Sequence, residues 1–203
     1  MKENKKKSRK IVLYVFLILF LASVSFEIVL AQVNYAHNTK QQLVMQDNLI
    51  LNQDKYKNFR FGVLSADENC CGAIATYNFL TLNNKQADFN KIMHFYDVAG
   101  STLYGVLGIN PFVMQIYLNL NGFYASLTTN KKEMHNLAKN SGTSILMYFH
   151  NSGAHYITLE YNQEDDNFFM YNYYYGYIVK RTINDVFESR PNNGGLAMLL
   201  YVS

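Results

Sequence analysis

The sequence predicts an α+β domain behind an N-terminal apolar segment, and three observations carry the prediction. Between Cys70 and Asn140, apolar residues recur at helical spacing and are punctuated by capping residues. From Ser144 onward the apolar runs are short, β-branched or aromatic, and of strand length. Ahead of both, the uncharged stretch Ile11 to Phe26 follows a basic run. Helices first and antiparallel strands after them is an α+β order.

Asn69 is the expected N-cap of a helix through Leu82, with Ile74, Tyr77 and Leu80 on one stripe. Asp88 should cap a second helix ending near Gly100. Asn110-Pro111 opens a third, with proline at the first helical position and Gly122 beyond its end. Asn130 to Asn140 reads as a fourth. Ser144–His150, His155–Tyr161, Phe168–Tyr175 and Leu196–Val202 are the expected strands, with Gln163 to Asn167 as a polar hairpin tip. Thr182 and Asp185 make a capping pair for a short helix through Phe187.

The N-terminal segment divides the chain. Residues 1–10 carry +5 although the whole chain nets +3, so the remainder nets −2 and holds no Lys/Arg cluster. Nucleic-acid binding needs a basic patch and is excluded as a function class. A spanning helix needs about 20 apolar residues and a signal-peptide core about 7–15. The 16 residues from Ile11 to Phe26 fall between, and Glu27 interrupts the apolar run. Val29 and Ala31 form a −3/−1 pair before Gln32, which favours a cleaved signal peptide over an anchor; both stay open. Either reading puts residues 32–203 outside the cytoplasm, secreted or held at the membrane through residues 11–31. The expected domains are therefore 1–31 as signal peptide or membrane anchor, 32–55 as a polar helical stalk or linker or a helix laid on the domain, and 56–203 as the folded domain.

Export gives the cysteines weight. Cys70 and Cys71 are the only two and are adjacent, so they cannot staple distant parts of the fold. Their Cα atoms stand about 3.8 Å apart across a trans peptide, below the usual disulfide range. A strained vicinal disulfide stays open. With Asn69 as cap, Cys71 falls in the first helical turn, where backbone N–H groups and the helix dipole favour a thiolate. Gly72 leaves space beside the sulfur, while Asp67 and Glu68 oppose ionisation. Cys70, without the glycine neighbour, fits a packing or redox role. With no C-x-x-C or H-E-x-x-H, the sequence implies no metal site and no cofactor.

The hairpin supplies partners for the thiol. A turn centred between Gln163 and Glu164 sets Tyr161 against Asp166, Leu159 against Phe168, and His155 against Asn172. Nucleophile, base and a third group that orients the base are the logic of a thiol hydrolase. The runs Asn69-Cys70-Cys71-Gly72-Ala73-Ile74-Ala75, Gly153-Ala154-His155-Tyr156-Ile157-Thr158-Leu159 and Phe169-Met170-Tyr171-Asn172, with the closing strand Leu196–Val202, resemble the double-glycine leader peptidases fused to bacteriocin ABC transporters. They resemble more closely the stand-alone relatives of those enzymes in the papain-like clan. The resemblance covers roughly residues 56–203.

It implies a papain-like cysteine peptidase with Cys71 as nucleophile, His155 as general base and acid, and Asn172 as the orienter of the imidazole. It implies a peptide or protein substrate. Two positions depart from the family: Asn172 stands where Asp is usual, and Ser65 stands where the oxyanion-hole glutamine is usual. Asn69 or Ser65 is then the candidate oxyanion donor, together with the Cys71 backbone N–H. A catalytically silent peptide-binding module at the cell surface is the alternative, and amide hydrolysis on cell-wall peptides by the same triad is a third reading.

Overall fold

A computed structural model describes residues 2–150, 153–174, 176–190 and 195–203. Tyr175, expected at the end of the third strand, lies outside the described residues. The layout is α+β, helices before sheet. Helix α1 (Lys2–Asn38) comes first. A 3₁₀ turn (Gln53–Tyr56) and a minimal hairpin, β1 (Arg60–Phe61) with β2 (Leu64–Ser65), follow it. Then come α2 (Ala66–Asn69), α3 (Cys71–Leu82), α4 (Phe89–Ala99) and α5 (Pro111–Leu120). The sheet region holds β3 (Ala125–Thr128), α6 (Lys131–Ser141), β4 (Thr143–His150), β5 (Gly153–Asn162), β6 (Asn167–Tyr174), β7 (Tyr177–Arg181), α7 (Ile183–Glu188) and β8 (Met198–Val202).

The helix caps are those their residues call for. Asp88 accepts the Lys91 N–H at 3.2 Å, Asn110 the Phe112 N–H at 2.9 Å, and Asn130 the Lys132 N–H at 3.3 Å. Thr182 and Asp185 close a capping box on α7. The main sheet is six-stranded, in the order β3-β8-β4-β5-β6-β7, with antiparallel neighbours. Alternation along β4 sends Ile145 and Met147 to one face and Leu146 and Tyr148 to the other. The first face packs on α3, which is buried from Cys71 to Leu80. The second packs on α6 and α7 through Met134, Ala138, Ile183 and Val186. Thr158 on β5 donates its hydroxyl to the Ala75 carbonyl of α3 at 2.9 Å, fixing helix to sheet.

The register of the β5–β6 hairpin differs from the expected one by two residues. Tyr161 pairs with Phe168, Leu159 with Met170 and Thr158 with Tyr171. The turn is centred one position later because Asn162 pairs with Asn167, which leaves four residues in the tip. Asn162 accepts the Glu164 N–H at 3.3 Å, and Asp166 takes the left-handed conformation, φ 49°. Both are habits of Asx residues in turns. His155 and Asn172 are therefore not directly opposed.

α1 continues past residue 31, the expected end of the signal peptide or anchor, to Asn38. Ile11 to Phe26 is fully exposed, whereas Ala31, Asn34 and Asn38 are buried against the domain. The end of α1 is thus laid on the domain, one of the two expected forms, and in the segment after it Leu49, Ile50 and Leu51 are also buried. The Asn34 amide donates to the Gly62 carbonyl at 2.9 Å and to an Asp97 carboxylate oxygen at 2.8 Å. The other Asp97 oxygen accepts the Gly62 N–H at 2.5 Å. Burial pushes the Asp97 carboxyl above its usual range despite these bonds. Asp97→Asn keeps the shape but turns an NH₂ toward one of two N–H donors. It should cost about 1–3 kcal/mol, measured as a lower denaturant midpoint at unchanged slope.

Candidate active site

Cys71 is the first residue of α3, but Asn69 does not cap that helix. Asn69 closes the single turn of α2, and Cys70 occupies the cap position at φ −92°, ψ 11° with no side-chain cap bond. The Asn69 side chain is buried and turned toward the loop 101–109. Its amide donates to the Gly105 carbonyl at 2.7 Å and to the Phe61 carbonyl at 3.3 Å. With both N–H groups engaged, it has none to offer an oxyanion. The Ser65 hydroxyl is held by Asp67, and it lies 3.5 Å from Glu68. Both candidate oxyanion donors are committed to local structure.

The surroundings of the thiol also differ from expectation. A Cβ at Gly72 would meet Ile109 at 3.1 Å and the Met114 sulfur at 3.3 Å. The glycine admits these apolar neighbours to the helix start, and the space beside it is filled. Cys71 is 5% exposed. The backbone N–H groups of Tyr156, Gly72 and Cys71 lie near the sulfur and favour the thiolate, yet burial outweighs them and pushes the thiol up to about 11. The expected lowering at a helix start is therefore reversed. Burial likewise pushes Cys70 well up, with the neighbouring Cys71 and Asp67 adding to it. Both cysteines are free thiols.

Why the Tyr156 N–H faces the sulfur follows from the strands. Tyr161 donates its N–H across to Gly142, which precedes β4. In an antiparallel strand successive residues direct their backbone groups to opposite neighbours, so Tyr156 directs its N–H toward β6. The β5–β6 ladder has ended by then, its last pair being Thr158 with Tyr171. The next β6 residue, Asn172, is left-handed at φ 61°, and the β6–β7 register shifts between Met170 and Tyr174. Beyond this bulge β6 no longer pairs with Tyr156, and the Cys71 sulfur lies near its N–H.

The bulge turns the Asn172 carbonyl toward the histidine. A ring nitrogen of His155, Nε2, lies 2.7 Å from the Asn172 backbone oxygen. A carbonyl can only accept, so in the neutral ring Nε2 carries the proton and Nδ1 is the basic nitrogen. The contact uses the Asn172 main chain. Its side-chain Nδ2 is buried with no hydrogen-bond partner among the described residues.

Sequence reasoning missed the aromatic surroundings. Tyr148 pairs with His155 across β4–β5, and their ring centroids are 5.9 Å apart. Arg190 lies over the Tyr148 and Tyr173 rings, 5.3 Å from each, and donates a hydrogen bond to the Tyr148 hydroxyl. Burial pushes that hydroxyl up, and the proximity of Cys71 adds to the effect. Strand alternation puts His155 on the α6–α7 face of the sheet, while Cys71 comes from the α3 face. The only sequence signal of these surroundings was the Tyr-rich run around Asn172.

Among the described residues no cluster of His, Cys, Asp or Glu is arranged to hold a metal ion. A cleft of about 760 Å³ lies between α1 and the β1–β2 hairpin, lined by Leu30, Asn34, Phe59, Arg60 and Ser65; Cys71, His155 and Asn172 do not line it.

No protein-family model matches the chain, and no curated protein matches it. Among solved structures it is similar to the peptidase domain of Streptococcus ComA, a bi-functional ABC transporter involved in a quorum-sensing pathway. The TM-score is 0.48 at 11% identity, covering 66% of this chain and 91% of that one.

Proposed function

We propose that the chain is a papain-like cysteine peptidase held outside the cytoplasm, with Cys71 as nucleophile, His155 as base and acid, and Asn172 as the group that orients the ring. One observation carries the reading: at the bulge of Asn172, His155 has an acceptor for Nε2, and the N–H of the residue after His155 lies near the Cys71 sulfur. Both contacts depend on one irregular position in an otherwise regular hairpin. Irregular strand positions of this kind concentrate at active sites.

In the proposed reaction the buried thiol is neutral at rest. His155 Nδ1 takes the proton as sulfur attacks the peptide carbonyl carbon, and the imidazolium then protonates the leaving amine. Water, deprotonated by the same nitrogen, cleaves the thioester and restores the thiol. The Cys71 backbone N–H is the proposed oxyanion donor, since the side chains of Asn69 and Ser65 are engaged elsewhere.

The catalytically silent peptide-binding module is favoured by one specific observation, the near-complete burial of the Cys71 thiol. The two readings separate when the full chain is incubated with a mixture of denatured proteins and new N-termini are read by mass spectrometry. The peptidase yields new termini that vanish with Cys71→Ala. Equal termini in both samples would leave the binding module as the surviving reading.

A further inference from the structure

We propose that the loop 101–109 is a lipid-docking surface whose Leu103, Val106 and Leu107 enter the interface of the same bilayer that receives α1. These side chains are 65%, 52% and 63% exposed, and Val63 beside them is 52% exposed. A soluble surface has little reason to gather four large aliphatic side chains in one place.

The loop is attached to α1 at a depth that fits. The Tyr104 ring packs edge-on against Phe26 at 5.7 Å, and its hydroxyl is bonded to Ser23. The apolar span starts at Ile11 and its most apolar window has no buried residues. At about 1.5 Å per residue, a hydrocarbon core of about 30 Å takes roughly 20 residues and ends near residue 30. Phe26 then lies about 6 Å and Ser23 about 10 Å inside the outer boundary, so the loop bonded to them dips past that boundary into the acyl region. Glu27, the one acidic residue at this depth, accepts the Ser101 hydroxyl at 2.8 Å, so the base of the loop partners the carboxylate.

The loop is also built to leave water. Its backbone groups bond inward: Thr102 N–H to Gly108, Leu107 N–H to Thr102, Gly108 N–H to Gly105, and Val63 N–H to the Tyr104 carbonyl at 3.0 Å. Internally bonded backbone is what a lipid boundary tolerates. Leu103 and Tyr104 both adopt left-handed backbone, φ 50° and 55°. That conformation is costly for such residues and signals a turn held for a purpose. Gly62 allows the close seating of this turn, since a Cβ there would stand 1.8 Å from the Tyr104 oxygen.

The far side of the loop reaches the candidate site. Gly105 accepts from Asn69, and the Ile109 carbonyl accepts the Tyr156 hydroxyl at 2.7 Å. Docking would hold the Asn69–Cys71 turn near the membrane face, whether or not Cys71 is a nucleophile.

The chain has no tryptophan, so one introduced residue reports alone. Leu107→Trp and, separately, Val106→Trp are made in the full chain, with Phe16→Trp as the reference within the span. Each is reconstituted in phosphatidylcholine–phosphatidylglycerol vesicles with or without lipids brominated near the headgroup end of the acyl chain. The loop variants should show blue-shifted emission and roughly twofold quenching, as for side chains a few Å inside the acyl boundary. Quenching of Phe16→Trp with water-like, unquenched emission from both loop variants would overturn the proposal. So would absence of quenching at all three positions, because α1 itself would then lie outside the bilayer.

Discussion

On the proposed chemistry, His155→Ala should lower peptide hydrolysis at pH 7 by about 10³-fold or more, the scale seen when a member of a nucleophile–base pair is removed. Its residual rate should also acquire a pH dependence of its own. Burial holds the Cys71 thiol at about 11, so at pH 7 only about one molecule in 10⁴ carries a free thiolate. Without His155 to take the proton in the transition state, attack depends on that fraction. It grows about tenfold for each pH unit below the thiol value. The check is kcat/KM against pH for both forms, on a peptide that the native chain cleaves. A residual rate with the same pH profile as the native enzyme, or a loss under about tenfold, would remove His155 from the chemistry.

The same burial limits the alkaline end of that measurement. The folded thiol sits above its ordinary value of 9.0. The fold therefore favours the protonated form, and the stability this lends is complete below pH 9 and is lost as pH rises from 9 through about 11. The loss is on the order of 2–3 kcal/mol for Cys71, and Cys70 is shifted in the same direction. Rates are best compared between pH 6.5 and about 9, before this destabilisation begins.

How far the sequence leads depends on whether a feature is local. The caps at Asp88, Asn110 and Thr182 were legible because each needs only a side chain and an N–H two or three residues on. The alternating runs of β4, β5 and β6 were legible because one face meets α3 and the other α6 and α7. The hairpin register was not, because two four-residue tips one position apart are both well supplied with turn formers. A slip of two residues keeps every side chain on its face, so the hydrophobic pattern cannot detect it. The thiol environment was not legible either. Ile109 and Met114 cover Gly72 through tertiary packing from a loop and α5, and no local pattern around Cys71 announces them.

Asn172 is where that missed register matters most, and it supports the sharpest substitution series. Its contact with His155 runs through the carbonyl oxygen, presented by a left-handed backbone. Asparagine visits this region more readily than other side-chain-bearing residues, and glycine does so at no steric cost. Asn172→Gly should therefore keep the Nε2–H acceptor and stay within roughly threefold of native activity. Asn172→Val should fare much worse. A β-branched residue pays about 1–2 kcal/mol in the left-handed region, so the strand relaxes toward extended geometry and the carbonyl turns away. The ring loses its tautomer control, and activity should fall roughly 10²-fold or more. Nitrogen NMR of the imidazole reads the cause directly. Nε2 should stay protonated in the glycine variant, and the two tautomers should mix in the valine variant. If the side-chain amide were the orienting group, glycine would be as damaging as valine, and that result would return Asn172 to the side-chain role expected from papain-like enzymes.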